Sequence, residues 1–425
     1  MIPAAVDCEA CPHTARRQGW DEPIEKWEKT RQSTQSIPGC EVSPVPDLSV
    51  NYAGLRLQHP IMAASAGITA TVDRMRRAEE AGASAVSVKS LFENPIPRRG
   101  DPTPHMRVIR HGRDPRSFTL YSYEQAAHMD EEAYADLILR AKAALDIPVI
   151  ANIDCASPEA WARYAALVEQ AGADAIEVKS CPHGEHLMTG DELSGAVRTV
   201  KGLVSIPVIA KLPSQLTNPY QSALDIQSAG ADALVMFNRL VGLDIDLDTL
   251  APIMHGGFAG HGGPHSIYYR LRWIAQVFDE MHIPICGTGG VSTGADAAKY
   301  VLAGATCVQL ATAAIVEGCG AFGRIRDELA EWMDRNEHQC LGDLRGVAAG
   351  RVLGLPDVSR QQTVRAAIDP DTCTRCGVCH RVCIYEGVDE PTPGTGEAYR
   401  TNDHCRGCGL CEQLCPVEAI SLLPL

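Results

Sequence analysis

The sequence predicts an α/β protein built as a (β/α)8 TIM barrel with a small cysteine-rich domain after it. Short apolar, β-branched runs alternate with helical patterns through residues 46–340, as expected for parallel strands that are buried on both faces. Several helical patterns stop at a glycine directly before the next apolar run, which is typical of a left-handed helix end. Two closely spaced cysteine runs then lie within residues 371–425.

Eight apolar runs give the predicted strands, and a helix is expected between most of them. The alternative fold is a doubly wound sheet, but no G-x-G-x-x-G motif follows the first run. We divide the chain into an N-terminal extension (1–45), the barrel (46–340), a linker (341–370) and the cysteine-rich domain (371–425). The predicted strands are residues 60–64, 85–89, 148–153, 175–178, 207–212, 233–237, 283–287 and 307–311.

The cysteine-rich domain contains the spacing C-x2-C-x2-C-x3-C twice. This is the spacing of a bacterial two-cluster ferredoxin, in which the fourth cysteine of each run binds the other cluster. Disulfides and zinc are the alternatives, but disulfides suit secreted chains and zinc sites rarely repeat such a run. We therefore predict a ferredoxin-like domain with two [4Fe–4S] clusters. The expected ligands are Cys373, Cys376, Cys379 and Cys415 for one cluster, and Cys405, Cys408, Cys411 and Cys383 for the other.

Composition limits the partners and the compartment. The formal net charge of −15 argues against a nucleic-acid partner. The first residues contain no basic segment followed by an apolar run, and no stretch of about 18 apolar residues is present, so we expect no signal peptide and no membrane partner. Because eight of the 17 cysteines belong to the ferredoxin-like runs, we expect a reducing, cytoplasmic location.

The N-terminal extension carries a second and weaker cysteine pattern. Cys8 and Cys11 are separated by two residues, and His13 and Cys40 follow. This partial ligand set is compatible with a metal site, while the simpler interpretation is a packing extension with free thiols. Both interpretations stay open at this point.

In a TIM barrel the functional residues lie where the strands end. Gly287, Gly289 and Gly290 follow the seventh predicted strand, before a helix expected to begin near Thr293. Backbone N–H groups of such a turn and helix start can cradle a mononucleotide phosphate, with Thr312 facing them. Lys211 ends the fifth strand, where it could support a flavin ring that gains negative charge on reduction. The other polar strand ends are Lys89, Asn152, Asn238 and Arg239.

Four segments together resemble the dihydroorotate dehydrogenase superfamily of FMN barrels. They are Lys89, Ser-Cys-Pro-His-Gly at 180–184, Ile-Pro-Val-Ile-Ala-Lys at 206–211 and Gly-Thr-Gly-Gly at 287–290. With the ferredoxin-like domain, residues 46–425 are most similar to the pyrimidine-reducing part of dihydropyrimidine dehydrogenase. The resemblance implies an FMN cofactor and Cys181 as general acid or base, with His183 and Lys89 near the substrate carbonyl. The implied FMN contacts are Ala64, Ser65, Lys89, Asn152, Lys211, Asn238, Gly260, Gly287, Gly289, Gly290 and Thr312.

The chain departs from this family where a pyrimidine ring would be recognised. Where the family has Asn-Leu-Ser-Cys, this chain has Val-Lys-Ser-Cys at 178–181, so Val178 aligns with the family's Asn. Where the family has Asn-Thr, this chain has Asn-Arg at 238–239. A further Asn, from a loop of the family, aligns with Ser122. Losing a buried partner for a ring N–H or C=O costs about 1–3 kcal/mol. We therefore expect uracil and thymine to be poor substrates. Arg239 offers a planar fork suited to a carboxylate or phosphate, or else forms a structural ion pair.

The sequence thus predicts an FMN- and iron–sulfur-dependent oxidoreductase that reduces, or forms, an activated C=C bond of a small cyclic or carbonyl-conjugated substrate. Cys181 would exchange the proton at one carbon. The alternatives are an electron-transfer subunit without its own substrate, or a true dihydropyrimidine dehydrogenase. Because no dinucleotide fingerprint is present, we expect a NAD(P)H-oxidising flavoprotein subunit or a ferredoxin as electron partner, within an oligomer.

Overall fold

The computed structural model describes residues 46–93, 106–114, 116–122, 129–179, 190–253 and 258–425. The chain forms two compact units, Met1–Val352 and Leu353–Leu425. The short helices Leu341–Asp343 and Ala349–Arg351 belong to the first unit, where the Ala348 N–H donates to Leu302 O. Because residues 364–368 already form a strand of the second unit, the connecting stretch is shorter than the predicted linker.

Eight parallel strands close into a barrel, as predicted. Each strand pairs with the next, and the eighth pairs with the first. Closure places all eight C-terminal strand ends around one opening, where barrel enzymes carry their sites. The strands are β1 (Ile61–Ala63), β2 (Val86–Ser87), β3 (Val149–Asp154), β4 (Ala175–Lys179), β5 (Val208–Leu212), β6 (Ala233–Met236), β7 (Ile285–Thr288) and β8 (Cys307–Leu310).

Helices surround the barrel, and their ends follow local sequence signals. Thr71, Ser157 and Thr293, for example, accept a backbone N–H at a helix start, as good N-cap residues do. None of the helices in the described ranges is long and apolar enough to cross a membrane. The helices are α1 (Val72–Glu80), α2 (Glu131–Ala144), α3 (Pro158–Gln170), α4 (Gly190–Lys201), α5 (Pro219–Ser228), α6 (Ile267–Val277), α7 (Gly294–Leu302), α8 (Thr312–Glu317) and α9 (Ala321–Arg335).

Two insertions build a four-stranded antiparallel sheet that the sequence pattern did not indicate. Two of its strands follow β2 and two follow β6, and the central contact pairs Ser122 with Gly260. The sheet therefore joins two distant loops at the C-terminal face of the barrel. The strands of this sheet are Met106–Arg110, Phe118–Ser122, Leu240–Gly242 and Ala259–Gly262. Outside this sheet, shorter strand pairs join Val50–Tyr52 to Leu55–Leu57, Ile245–Asp246 to Ala251–Pro252, and Leu91–Phe92 to β3.

The barrel interior changes from apolar to polar along its axis. Inward-pointing side chains alternate along each strand, so every second residue belongs to the interior. In β3 and β5 the buried Ile150 and Ile209 are followed two positions later by Asn152 and Lys211. The apolar end is closed by the hairpin at residues 50–57. Its cluster consists of Tyr52, Ala53, Leu57, Met62, Ala85, Ile150, Ala175, Ile209, Ala233, Val235, Cys286 and Cys307.

The C-terminal unit has the ferredoxin-like arrangement that the repeated cysteine spacing predicted. Strand Val364–Ile368 pairs antiparallel with strand Ile420–Pro424, so both ends of this unit lie side by side. Two short helices, α10 (Val378–Val382) and α11 (Leu410–Gln413), each carry the third cysteine of one run. A further pair joins Val388–Asp389 to Arg400–Thr401.

Candidate functional site

A buried polar network lies inside the barrel, next to the apolar cluster. Lys211 Nζ is 3.0 Å from Glu177 Oε1 and 2.8 Å from Gln309 Oε1. Gln309 Nε2 donates to Glu177 Oε2 at 2.6 Å, and Asn152 Nδ2 donates to Glu177 Oε1 at 2.5 Å. All four side chains are at most 5% exposed. Glu177 therefore neutralises Lys211, and both of its oxygens accept hydrogen bonds, as a buried charge requires.

The network leaves polar atoms for a ligand. An ammonium group has three N–H donors, and Lys211 uses two of them on Glu177 and Gln309. The Lys211 side chain also lines the cavity above the network. Asn152 Oδ1 is buried and has no hydrogen-bond partner in the part of the chain that the structure describes. The fixed ammonium group of Lys211 and the unused acceptor Asn152 Oδ1 thus lie beneath the C-terminal opening of the barrel.

The sequence pattern indicated Asn152 and Lys211 but not Glu177 and Gln309. Both of the missed residues lie in apolar runs of buried strands. A carboxylate or amide in such a run must find a partner, so its presence there was the available signal. Glu177 and Gln309 are 132 residues apart in sequence, and barrel closure is what joins them.

A cavity opens at the C-terminal strand ends, above this network. It brings together residues that the sequence predicted at the ends of β1, β5, β6, β7 and β8, and residues of the antiparallel sheet. Such convergence from many strands is typical of a barrel site. The predicted residues that line the cavity are Ala64, Ser65, Ser122, Lys211, Asn238, Arg239, Gly260, Gly289, Gly290 and Thr312; His261, Ser266, Arg270 and Gln309 also line it and had not been indicated.

Three of the residues predicted to contact the cofactor do not line this cavity. Asn152 lies in the polar network below it. Lys89 is buried just beyond β2, where its backbone N–H donates to Thr69 O. Gly287 faces the helix layer, because a Cβ there would lie 2.2 Å from Tyr300 Cδ1. Close packing of β7 on α7 therefore explains the glycine at 287.

Gly289 and Gly290, the predicted phosphate cradle, form a turn that lines the cavity. Both residues have positive φ, 86° and 78°, which favours glycine. A Cβ on Gly290 would lie 2.6 Å from the backbone N of Ile267, and one on Gly262 would lie 2.8 Å from Thr312 Oγ1. Close packing of Ile267 and of the Thr312 side chain therefore requires glycine at these two positions.

The start of α7 does not contribute to this cradle, which corrects the sequence prediction. The backbone N–H groups of Ser292 and Thr293 donate to Asp296 Oδ2 at 3.1 and 3.0 Å. The N–H of Gly294 donates to Glu328 Oε2 at 2.7 Å. These three amides are therefore already bonded by the helix's own cap and by α9.

Arg239 lies across Gly260 at the edge of the cavity. A Cβ on Gly260 would lie 2.3 Å from Arg239 Cδ, so the glycine makes room for this side chain. Arg239 Nη1 is 3.4 Å from the backbone O of Ser122, a long contact to a neutral acceptor. Within the described part of the chain, this guanidinium forms no structural ion pair.

The interior position at the end of β4 is Lys179, and not Val178 as the alignment had placed it. Val178 is fully buried in the core between strands and helices. Lys179 follows Glu177 by two positions and therefore points to the same side of the strand. Its Nζ lies 3.8 Å from Asp154 Oδ2 and 4.6 Å from the centre of the Phe92 ring. A second cation thus stands at the C-terminal face.

Cys181 and His183 lie outside the described residues, as do Ser180 and the N-terminal Cys8, Cys11, His13 and Cys40. Their predicted roles stay predictions. In sequence, Cys181 follows the last residue of β4 by two positions, and β4 ends at the face that carries the cavity.

His261 adds a neutral group to the cavity wall. Its ring stacks with that of His265, with centroids 6.3 Å apart and planes 13° apart. Burial lowers the pKa of His261, and the neighbouring His265 and Arg270 lower it further. The imidazole is therefore uncharged at neutral pH, and the positive charge of the cavity comes from lysine and arginine.

In the C-terminal unit, four thiols surround one cavity. They are Cys373, Cys376 and Cys379 of the first run and Cys415 of the second. Among the described residues no three His, Cys, Asp or Glu side chains converge closely enough to hold a single metal ion; these thiols instead enclose a space. The grouping is the crossed set expected for a cluster in which the fourth ligand comes from the other run.

The other four cysteines show the matching arrangement. Cys383 Sγ accepts the N–H of Gly387 at 3.2 Å, just as Cys415 Sγ accepts the N–H of Ala419 at 3.2 Å. Gly387 packs directly on the second run, because a Cβ there would lie 2.6 Å from Cys405 Cα. Cys383 therefore lies beside the run that begins at Cys405.

Comparisons with known proteins agree with both units. Residues 47–333 match the family model described as dihydroorotate dehydrogenase, and residues 365–416 match one described as a 4Fe-4S dicluster domain. The chain is 29% identical over 309 residues to dihydroorotate dehydrogenase B (NAD(+)), catalytic subunit, of Pyrococcus abyssi, which covers 71% of this chain and 99% of that protein. Proteins of the same name from Methanothermobacter thermautotrophicus (31% identity; 71% and 98% covered) and Thermoplasma volcanium (30%; 72% and 99%) are also similar.

Proposed function

Since this chain belongs to the dihydroorotate dehydrogenase family, we propose that it is an FMN- and iron–sulfur-dependent oxidoreductase that reduces, or forms, an activated C=C bond. The observation that carries the proposal is the buried Lys211–Glu177–Gln309 network beneath a cavity with a glycine turn. When bound, FMN would supply hydride exchange with a substrate carbon, and two [4Fe–4S] clusters would supply single-electron exchange with a partner.

The residues of the cavity fit a flavin mononucleotide. Lys211 has one N–H donor left for a ring that gains negative charge. The Gly289–Gly290 turn and Thr312 line the same cavity, where they would hold the phosphate. Because Lys211 is fixed by two acceptors in a buried site, it does not have to reorganise when negative charge develops beside it.

We assign the proton transfer to Cys181, which the family resemblance supports. A thiol of ordinary pKa, about 8.5, is mostly protonated at neutral pH, as a general acid must be. In the reverse direction the same side chain would remove the proton as a base. His183 and Lys89 are the proposed groups that polarise the substrate carbonyl.

We infer that the substrate carries an anionic group. Among the described residues Arg239 forms no ion pair, and its Nη1 makes a long contact of 3.4 Å to the backbone O of Ser122. A neutral pyrimidine such as uracil would leave the Arg239 fork without an anion. The relatives are named dihydroorotate dehydrogenases, and dihydroorotate bears a carboxylate, so dihydroorotate or its oxidised form is the first compound to test.

We further propose that electrons enter or leave through a partner protein. The relatives are named catalytic subunits of an NAD(+)-linked enzyme, which supports a separate NAD(P)H-oxidising flavoprotein subunit. The 4Fe-4S dicluster domain equally suits a ferredoxin as partner.

The proposal is tested by re-oxidation of the reduced protein. Anaerobic protein loaded with FMN and clusters is reduced chemically and mixed with orotate, uracil, thymine or a non-cyclic unsaturated carboxylate, while flavin absorbance is followed. We expect an anionic compound to re-oxidise it fastest. Cys181→Ser should slow this step by about 10²–10⁴-fold, the usual contribution of a general acid.

Arg239→Ala separates binding from chemistry in the same assay. Loss of a charge-assisted hydrogen bond should raise KM for the anionic compound by about 10–100-fold, with little change for uracil. Fastest re-oxidation by uracil would instead support a true dihydropyrimidine dehydrogenase. No re-oxidation by any compound, together with electron exchange with a ferredoxin, would support a subunit without its own substrate.

A further inference from the structure

Arg270 is the largest fully buried side chain in the described residues, and the packing of the barrel does not explain its charge. It belongs to α6 and is 1% exposed. The other buried residues of this helix, Ile267, Ile274 and Val277, are apolar, so Arg270 occupies a core position of the helix. A guanidinium at such a position requires a compensating partner.

The partners of Arg270 are neutral and incomplete. Nη1 donates to Ser266 O at 2.7 Å, and Nη2 reaches Asn238 O at 3.5 Å. Nε is buried and has no hydrogen-bond partner among the residues that the structure describes. Burial lowers the pKa of Arg270, the direction expected for a cation that lacks a counter-ion.

The incompletely bonded edge of Arg270 lies against the glycine turn. A Cβ on Gly289 would lie 2.5 Å from Arg270 Nε, 2.7 Å from Cζ and 2.9 Å from Nη2. Glycine at 289 is therefore what lets the guanidinium reach this place. The Nε and Nη2 groups form the parallel pair of donors with which arginine binds two oxygens of one phosphate.

The charges around the cavity leave Arg270 uncompensated. Lys211 is neutralised by Glu177, and Arg239 lies at the other wall, across Gly260. Within the described part of the chain, the cavity lining contains no Asp or Glu. A dianionic group at the glycine turn would therefore meet one buried, unpaired cation.

We propose that Arg270 binds the phosphate of the flavin mononucleotide as the charged partner of the Gly289–Gly290 turn. The inference rests on the proposed function, because it requires a mononucleotide in this cavity. A phosphate on the Nε–Nη2 edge satisfies the unpaired Nε donor and neutralises the buried charge. It also supplies the interaction that the capped start of α7 does not offer.

Binding of FMN and of riboflavin, which lacks the phosphate, tests this role. Flavin-free protein with its iron–sulfur domain intact is titrated with each compound, and flavin fluorescence is followed. We expect the unmodified chain to prefer FMN by roughly 10-fold or more. Arg270→Met should weaken FMN binding by about 10–100-fold and leave riboflavin binding unchanged, whereas Arg270→Lys should give an intermediate loss.

Arg272→Met is the matched control, because Arg272 is an exposed arginine on the same helix. It should leave both affinities unchanged. An equal loss for both flavins in Arg270→Met, or no loss, would overturn the inference while the cofactor proposal stands. If neither flavin binds the unmodified chain, the cofactor proposal itself fails. Should Arg270→Met not fold, as judged by thermal unfolding, an unchanged FMN-to-riboflavin ratio in Arg270→Lys overturns the inference.

Discussion

At the scale of single residues, the interior of the barrel depends on one carboxylate. Glu177 accepts hydrogen bonds from Lys211, Gln309 and Asn152, and no part of its side chain reaches solvent. In this environment, removal of one member of an ion pair leaves the other charge buried and uncompensated. The network therefore contributes to folding as well as to the proposed cofactor site.

Glu177→Gln should lower the free energy of unfolding of the barrel by about 3–5 kcal/mol, because Lys211 loses its counter-ion. All five tryptophans lie before residue 352, so tryptophan fluorescence during urea unfolding reports on the first unit alone. Asp136→Asn, which removes the exposed ion pair with Arg140, is the control and should cost less than about 0.5 kcal/mol. Equal losses in the two variants would contradict the assigned role of Glu177.

His59 gives the barrel a pH-sensitive contact. It is 6% exposed, and its Nδ1 accepts the N–H of Ile61 at 3.3 Å, at the start of β1. Burial and, to a smaller extent, the positive charge of Arg326 lower the pKa of His59 to about 4. The unfolded value is about 6.5, so between these two pH values the unfolded chain binds more protons than the native one.

The contribution of His59 to the free energy of unfolding is therefore fully present above a pH of about 6.5. It is lost as the pH falls towards the native pKa, and the loss amounts to up to about 3 kcal/mol. His59→Asn keeps an acceptor for the Ile61 N–H but does not titrate, so its unfolding free energy should fall less between neutral and acidic pH. The same urea experiment at several pH values measures this. His282→Asn, at an exposed position, should keep the original slope; the same slope for His59→Asn would refute the assignment.

At the scale of elements, the loop after β7 separates binding from helix stability. The glycine turn lines the cavity, while the first amides of α7 are bonded to Asp296 and Glu328. The glycine turn therefore belongs to the cavity wall, whereas the following residues stabilise the start of α7. The turn needs space at Gly290, and the helix start needs its cap at Thr293.

Gly290→Ala should abolish tight FMN binding, because a Cβ would lie 2.6 Å from the backbone N of Ile267 at a residue with a φ of 78°. Thr293→Ala should lower the free energy of unfolding by about 0.5–2 kcal/mol through the lost cap, with unchanged FMN affinity. Flavin fluorescence titration and urea unfolding of both variants measure the two effects. A Thr293→Ala variant with weakened FMN binding would show that the helix start does contact the phosphate.

At the scale of the whole molecule, a barrel is combined with a domain that matches a 4Fe-4S dicluster model. In the C-terminal unit the fourth cysteine of each run lies with the other run, as Cys415 does beside Cys373, Cys376 and Cys379. We therefore expect about eight iron atoms per chain in two clusters. Loss of the fourth cysteine of a run should then affect the cluster that the other run forms.

Double cysteine variants test this crossing. Cys376→Ser with Cys415→Ser should remove only one cluster, and Cys408→Ser with Cys415→Ser should remove both, because Cys415 and Cys376 share a cluster. Iron and sulfide per chain, measured after anaerobic purification, should fall to about half in the first pair and to near zero in the second. The opposite pattern would mean that each run binds its own cluster.

The sequence alone determined the eight-stranded barrel and the 4Fe-4S domain after it, and it predicted the crossed cysteine sets. Apolar runs, glycine stops and cysteine spacings are local signals, and such signals can be recognised in a sequence without knowledge of the fold. The same signals located Lys211, Arg239 and the Gly289–Gly290 turn, because functional residues of a barrel follow its strands.

Only the tertiary structure decided which polar residues meet. Lys179, and not Val178, faces the interior because it follows the interior residue Glu177 by two positions, and each step along a strand reverses the side. The place of Arg270 beside the glycine turn depends on the packing of α6 against that turn. The partnership of Glu177 with Gln309, 132 residues apart, depends on closure of the barrel. Contacts between residues so far apart in sequence leave no periodic trace in the chain, so the closed structure is needed to reveal them.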